Sequence, residues 1–328
     1  MNASWLKNCY IASPDDMAFV QALPVEQLPC IACVIPSFNQ GKYLAATLDS
    51  VLDQGYPAVE IFVADGGSKD NSPEILAEYA QRHPHVLRYD SSPDGGHHHG
   101  VNKAIAHTTG DIIAWINSDD LYTPMTFWKV ACFFYFNRCA LAVFGKSEYV
   151  TANLQKICDY PIAWSPDMQE FQRMMMHRCV IPQPSLFFRR YALTLGGTLR
   201  SREVIDYELW MRWARKFPLY YYDDLFTMAR VHDEAISAKA DTTLLKNICK
   251  EVHAYYNGVP LSWCVVMAHN KIYGAAWARG ENPPMTNRIR LDAVWLFLKL
   301  NVCWAPRAAR HIFQSLRRFA HEMLRGRV

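Results

Sequence analysis

Nothing in this 328-residue chain is apolar over a long enough stretch to read as a membrane span. Its longest apolar stretches toward the C-terminus, at 263–266 and 294–298, fall far short of the ~20 residues a bilayer crossing takes. A secretory signal is missing too: residues 1–29 hold acids and prolines in place of a basic end and an apolar core, so a cytoplasmic protein is expected. Charge of one sign is scarce. With 34 Lys and Arg against 31 Asp and Glu, a net charge of +3 gives no reason to expect nucleic acid as a partner. Cysteines number ten but form no framework: Cys30 and Cys33 make the only C-x-x-C pair, with neither a second pair nor a C-terminal His-x-x-x-His to complete a zinc site. They read as buried thiols of a reducing compartment. Neither G-x-G-x-x-G nor a P-loop follows the first strand-like run, which excludes a Rossmann dinucleotide site and a Walker-type cradle. Internal repeats and low-complexity tracts are absent as well.

What is there is a globular composition, 51% hydrophobic and 20% charged, on a chain long enough for roughly two domains. The first half alternates strand-like and helix-like runs. Residues 31–35 read as a strand stopped by Pro36, and 40–54 as a helix with Leu44, Leu48, Val51 and Leu52 on one face. Residues 59–64 are a second strand, Ser72-Pro73-Glu74 opens a helix, 86–89 are a third strand and 97–107 a helix. The apolar run 112–116 is a fourth strand. Such alternation predicts a parallel, doubly wound sheet. The second half is less regular, with short strands at 141–144 and 185–188, a helix at 204–216, and helical pattern from about 236. From Arg288 on, nine basic residues face two acids, Asp292 and Glu322, among Trp295, Leu296, Phe297, Leu300, Phe313, Leu316 and Phe319. These read as basic amphipathic helices that either dock onto the domain or touch an anionic bilayer.

The segment that says most is IIAWINSDD at 112–120, an apolar run ending in two adjacent carboxylates, Asp119 and Asp120. Carboxylates at the C-terminal end of a central strand sit on the rim where open α/β sheets bind ligands. Hard oxygen ligands there suit Mg²⁺ or Mn²⁺, which in turn hold phosphate oxygens. The other strands also end in polar or glycine-rich residues: Pro36-Ser37-Phe38-Asn39, Asp65-Gly66-Gly67-Ser68 and, after the third, Ser91-Ser92-Pro93-Asp94-Gly95-Gly96. Four such endings on one rim describe a single crevice.

In these segments the chain resembles a known family. CVIPSFNQGKYLAATLDSVLDQGYPAVEIFVADGGSKDNSPEIL and SPDGGHHHGVNKAIAHTTGDIIAWINSDDLYTP are similar to family 2 glycosyltransferases. The likeness resumes at Gln183-Pro184-Ser185-Leu186, at Asp206-Tyr207-Glu208-Leu209-Trp210, and at Arg230-Val231-His232 with Ser237 downstream. It implies an α/β, GT-A-type doubly wound, mostly parallel sheet with a nucleotide-binding half and an acceptor half. Around it would stand an N-terminal extension (1–29), the GT-A domain (30–235) and a helical C-terminal region (236–328). The activity implied is inverting, metal-dependent transfer from a nucleotide-sugar donor to the hydroxyl of a glycan or lipid-linked acceptor, in bacterial surface polysaccharide assembly at the inner face of the membrane.

The resemblance also implies roles. Pro36, Ser37 and Asn39 would line the nucleotide pocket, Asp65 would meet the base, Asp94 would lie in the next nucleotide-side loop, and Asn102 and Lys103 match the family's Asn-Lys. Asp119 and Asp120 would hold Mn²⁺ or Mg²⁺, with Asn117 where many members carry another Asp, and His232 would contact metal or diphosphate. Asp206 matches the catalytic base, although Ile205 stands where many members have Glu. Asp206 and Glu208 are two apart, so only one can face the cleft. His97-His98-His99-Gly100 departs from the family's Gln-x-Asp-Ala. Consecutive side chains on a helix fan about 100° apart and do not converge on one ion, so a changed donor pocket is the expectation there. A nucleotidyltransferase and a non-catalytic sugar-nucleotide-binding partner of the same fold are the rival readings.

Overall fold

The computed structural model describes residues 9–201, 204–232, 242–268 and 285–304. They fall into two compact units: one runs through Phe171 and resumes over Val180–Val231, and the other comprises Gln172–Cys179 and the chain from His232 on.

Helix α1 (Pro14–Gln21) opens the first unit, with Pro14 in its first turn and Ser13 and Asp16 forming a reciprocal capping box. Then β1 (Ile31–Ser37), α2 (Gly41–Leu52), β2 (Val59–Asp65), α3 (Ser72–Arg82), β3 (Leu87–Ser91), α4 (His97–Ala106) and β4 (Ile112–Trp115) follow in strict alternation. β1 pairs in parallel with both β2 and β4, and β2 with β3, so all four strands end on the same edge. β1 is buried along its whole length, as expected of a parallel strand covered on both faces. It also continues through Pro36, where the sequence predicts a stop. Cys30 and Val34 direct their carbonyls to the β4 side, and Pro36 shares that side, one step beyond the last β4 pair, Val34 with Trp115. No ladder donor is needed there, so proline is tolerated.

Beyond β4 the sheet becomes mixed. The remaining elements are β5 (Leu121–Tyr122), α5 (Thr126–Phe136), β6 (Ala142–Thr151), β7 (Lys156–Asp159), α6 (Met168–His177), β8 (Leu186–Arg189), α7 (Tyr191–Gly196), α8 (Ile205–Ala214) and β9 (Tyr220–Val231). The sheet order is β3-β2-β1-β4-β8-β6-β9-β5, with β7 on the side of β6. β8 runs antiparallel to β4 and β6, while β9 runs parallel to β6. The N-terminal residues from 9 on join this unit: the Tyr10 N–H and carbonyl bond to Tyr221 and Asp223, and the Phe19 ring packs 5.7 Å from that of Tyr135. Cys33 is fully buried and Cys30 half-buried, and both are free thiols. Burial pushes the thiols of both Cys30 and Cys33 up.

In the second unit, α9 (Thr242–Tyr256) and α10 (Asn287–Trp304) share an apolar cluster that includes Leu245, Cys249, Ile289, Ala293 and Phe297. Leu291 and Trp295 of α10 are exposed. Phe313, Leu316 and Phe319 of the basic tail, and Ser237, lie outside the described residues. Among the described residues no helix is long and apolar enough to cross a membrane.

Gly145 of β6 marks a tight approach in the core, since a Cβ there would collide with the ring of the fully buried Phe226. Gly145→Ala is expected to cost about 1–3 kcal/mol by overpacking. Urea denaturation measures it, and an unchanged midpoint would show that β6 and β9 can part without penalty.

Candidate active site

Side chains at the ends of the parallel strands hold one another in place. Asp65, last in β2, is fully buried. Its Oδ2 accepts from the Ser68 N–H at 3.0 Å and the Ser91 hydroxyl at 2.5 Å, and its Oδ1 accepts from the Ser68 hydroxyl. The carboxylate implied to meet the base is therefore the anchor of the loops after β2 and β3. Asn39 adopts a left-handed conformation, φ 52°, which asparagine tolerates. Its N–H donates to Ser68 Oγ at 2.7 Å and its side-chain oxygen accepts from the Lys69 N–H at 2.8 Å. Phe38 beside it is 58% exposed. A Cβ on Gly66 would stand 3.3 Å from the Phe38 ring and 3.4 Å from Asp94, and one on Gly100 would stand 3.2 Å from Asp94 and 3.4 Å from Pro36. Pro36, Phe38 and Asp94 thus converge, with Asp94 Oδ1 accepting from the Gly96 N–H at the start of α4, at 2.7 Å.

The loop after β4 is clamped by α2. Thr47 and Ser50 of α2 share one helix face through their three-residue spacing, and Gln54 follows in the turn just past its C-terminal end. Thr47 donates to the Asp120 carbonyl at 2.8 Å, Ser50 Oγ accepts from the Tyr122 N–H at 3.2 Å, and Gln54 donates to the Thr123 carbonyl at 3.0 Å. The Asp120 carboxylate is buried, and its Oδ1 accepts from the Arg230 backbone N–H of β9 at 2.9 Å. Burial first, and the Asp119 charge second, push the Asp120 carboxyl well above the usual carboxylate range, while the Arg230 N–H and guanidinium and the Asn117 side chain oppose them. A cation relieves such a pair. Asn117 Oδ1 is buried without a hydrogen-bond partner, so the available ligands are all hard oxygens and fit Mg²⁺ or Mn²⁺. No group of three His, Cys, Asp or Glu gathers among the described residues, so water and phosphate oxygens would have to complete the shell of such a cation.

Of the three histidines, the rings of His98 and His99 lie together while that of His97 packs near Trp115. His97 turns inward, its ring 5.9 Å from Trp115, within the fields of both Asp119 and Asp94. Burial pushes it down to about 4, so it is a neutral imidazole at pH 7. His98 is buried, with its ring 4.0 Å from that of the exposed His99.

Asp206 stands in the first turn of α8, partly exposed, and burial raises its carboxyl above the ordinary value. Glu208 is committed elsewhere. Arg212 grips it with two 2.9 Å bonds and also donates to the carbonyls of Gly196 and Thr198. Trp210, one turn past Asp206, lies 6.2 Å from Trp115 at the end of β4, which sets α8 against the acidic loop. Gln183 accepts from Asn117 at 3.0 Å and donates to the Trp115 carbonyl at 2.9 Å.

Asn102 and Lys103 of α4 bond to neighbouring segments of the first unit. Asn102 donates to the Leu199 carbonyl at 2.9 Å, and Lys103 pairs with Asp90 at 2.5 Å and Ser92 at 2.9 Å. His232 falls in the second unit. The sequence assigned no role of their own to Phe38 or Arg230. Exposure of an aromatic ring at a strand end was the available signal for Phe38; for Arg230 only its place two residues before His232 pointed to the site.

Glu208→Ala would leave the Arg212 guanidinium buried without its anion. Loss of one partner of a buried pair costs roughly 3–5 kcal/mol, and chemical denaturation of the variant is expected to show it; a change under about 1 kcal/mol would mean the pair is dispensable.

Residues 32–193 match the family model described as glycosyl transferase family 2. An uncharacterized glycosyltransferase of Rickettsia typhi is 24% identical over 70% of this chain and 71% of its own length. For a Rickettsia felis glycosyltransferase (25% identical) the match covers 64% of this chain but 36% of the relative; for the chondroitin synthase of Pasteurella multocida (23% identical) it covers 69% and 23%. Among solved structures, Staphylococcus aureus TarS 1–349 in complex with UDP-GlcNAc superposes with a TM-score of 0.56 at 16% identity, over 82% of this chain and 81% of that one. The mannosyltransferase PcManGT of Pyrobaculum calidifontis, in complex with GDP-Man and Mn²⁺, gives 0.55 at 17% identity, over 98% and 91%. Strand order, acidic rim and family match agree: through residues 32–193 this chain belongs to glycosyl transferase family 2, and it is a glycosyltransferase of the GT-A fold.

Proposed function

We propose that this chain moves a sugar from a nucleotide-sugar donor to an acceptor hydroxyl in one inverting displacement, with Asp206 as the base. The observation that carries this reading is the contrast between the two carboxylates of α8. Glu208 is spent on Arg212, while Asp206 is held at the helix start, partly exposed and raised by burial. A carboxylate so placed accepts the acceptor's proton as its oxygen attacks the anomeric carbon opposite the diphosphate. Holding that oxygen in line contributes further. Pro36, Ser37, Phe38 and Asp94 border the nucleotide end of the crevice, and the loops that carry them are fixed by Asp65 and Asn39. Asp119, Asp120 and the Asn117 side-chain oxygen would hold Mn²⁺ or Mg²⁺, which when bound would supply Lewis-acid neutralisation of the diphosphate charge.

The donors bound by the two solved neighbours carry UDP and GDP, so both bases are candidates. A bacterial surface polysaccharide as product is supported by relatives named chondroitin and hyaluronan synthase. A glycan or lipid-linked acceptor at the inner face of the membrane accords with the nine basic residues from Arg288 on.

Turnover of UDP-, GDP- and dTDP-sugars with Mn²⁺ tests the reading. Asp206→Asn is expected to lose roughly 10²–10⁴-fold in kcat with donor affinity retained, and Asp119→Ala to lose metal-dependent donor binding. Retained turnover in Asp206→Asn would remove it as the base. The pH dependence has a definite sign. Because burial raises the folded-state carboxyl, kcat/KM falls with decreasing pH at a value above the ordinary 3.8. The stability that protonated Asp206 contributes is present below the unfolded value and lost as pH rises through the folded one. Asp206→Asn should therefore be at least as stable as the parent at pH 7, and a less stable variant would contradict the burial argument.

A further inference from the structure

In the second unit, α10 carries apolar side chains on two opposite sides. Ile289, Ala293 and Phe297, each four residues from the next, are buried in the cluster that α10 shares with α9. Arg288, Leu291, Trp295 and Leu298 follow one another at spacings of three, four and three, so they line the other side of the helix. That side is open: Leu291 is 71% exposed, Trp295 60% and Leu298 37%, with Arg288 exposed at its N-terminal end. Docking onto its own unit thus accounts for one face of α10 and leaves a second apolar stripe facing water.

Charge says what covers that stripe. Of the chain's 34 basic and 31 acidic residues, nine and two lie from Arg288 on, which leaves 25 against 29 before it. The segment that begins with α10 is therefore cationic by seven charges, while the rest of the chain is anionic by four. A second copy, paired symmetrically through this stripe, would set the cationic segment against itself, and like charges disfavour such a contact. An anionic lipid surface suits both features. Its headgroups take the positive charge, its acyl boundary takes the leucines, and an indole such as that of Trp295 settles at the depth between them. The 18 residues of α10 give a rod about 27 Å long, and since no described helix is apolar enough to cross a membrane, it would lie in the plane of the surface. We propose that α10 docks this chain on an anionic membrane through Leu291, Trp295 and Leu298, drawn there by the basic residues from Arg288 on. The inference rests on the reading that the acceptor is met at a membrane face, and it gives that reading its contact surface. It does not depend on the assignment of Asp206.

Flotation of the full chain with vesicles of phosphatidylcholine, alone or with one-third phosphatidylglycerol, tests the proposal. The parent is expected to float with the phosphatidylglycerol vesicles, to stay behind with phosphatidylcholine alone, and to be released as salt rises. The double variant Leu291→Gln, Trp295→Gln keeps every charge. It is expected to bind about 10- to 100-fold more weakly, with the thermal unfolding midpoint and the vesicle-free sugar-nucleotide turnover of the parent. Leu291→Gln alone, at the most exposed of the three positions, keeps the test open should Trp295 also support the fold; a loss of about three- to tenfold is expected. Undiminished flotation of both variants would overturn the proposal, because charge alone would then hold the chain, and so would a parent that ignores both vesicles. A parent that light scattering shows to be a dimer, made monomeric by the double substitution, would overturn it as well, since a second copy would then cover the stripe. A parent that floats but turns over no sugar nucleotide would remove the catalytic reading and leave the docking surface standing.

Discussion

Asp120 is a carboxylate buried next to another carboxylate, and the rest of the site follows from making that tolerable. The β9 backbone at Arg230 donates to it, the Arg230 guanidinium and Asn117 offset its charge, and Thr47 of α2 fixes its carbonyl. One side chain thus joins the loop after β4 to a strand 110 residues later in the chain. The parallel half of the sheet supplies the rim, but the acidic loop reaches its final form only when β9 is in place. Such a cluster is costly without a cation, and that cost keeps the two acids poised to take one.

The carboxylates divide into those that build and those that stay available. Asp65 and Glu208 are both buried and both hydrogen-bonded within the protein, to serines in one case and an arginine fork in the other. Asp94, Asp119 and Asp206 keep more of their surface open. His97 lies within the fields of Asp94 and Asp119 as a neutral group, so it offers an imidazole there without adding positive charge at pH 7.

The parallel half was legible because each of its strands is an apolar run closed by a turn signal, and each intervening helix has a clear apolar face. The carboxylates of the acidic loop were visible for the same reason. β9 was not legible: YYYDDLFTMARV mixes aromatic, acidic and apolar residues without alternation, since its pairing with β6 shifts register around Lys146. α5, TFWKVACFFYF, is buried on nearly every side and so lacks the one-sided pattern that marks a helix. Pro36 reads as a strand end in isolation, and only the shorter length of β4 explains why the strand continues. The same limit applies to Asp65. Its position at the rim was readable, but its commitment to Ser68 and Ser91 depends on how two loops meet in space.

The most direct test is a crystal structure of the chain with a nucleoside diphosphate and Mn²⁺, read by the anomalous signal of the metal. A peak bound by Asp119 is predicted, with the diphosphate against it. A peak at the histidines 97–99, or a nucleotide bound away from the ends of β1, β2 and β4, would contradict the assignment of the acidic loop as the metal site.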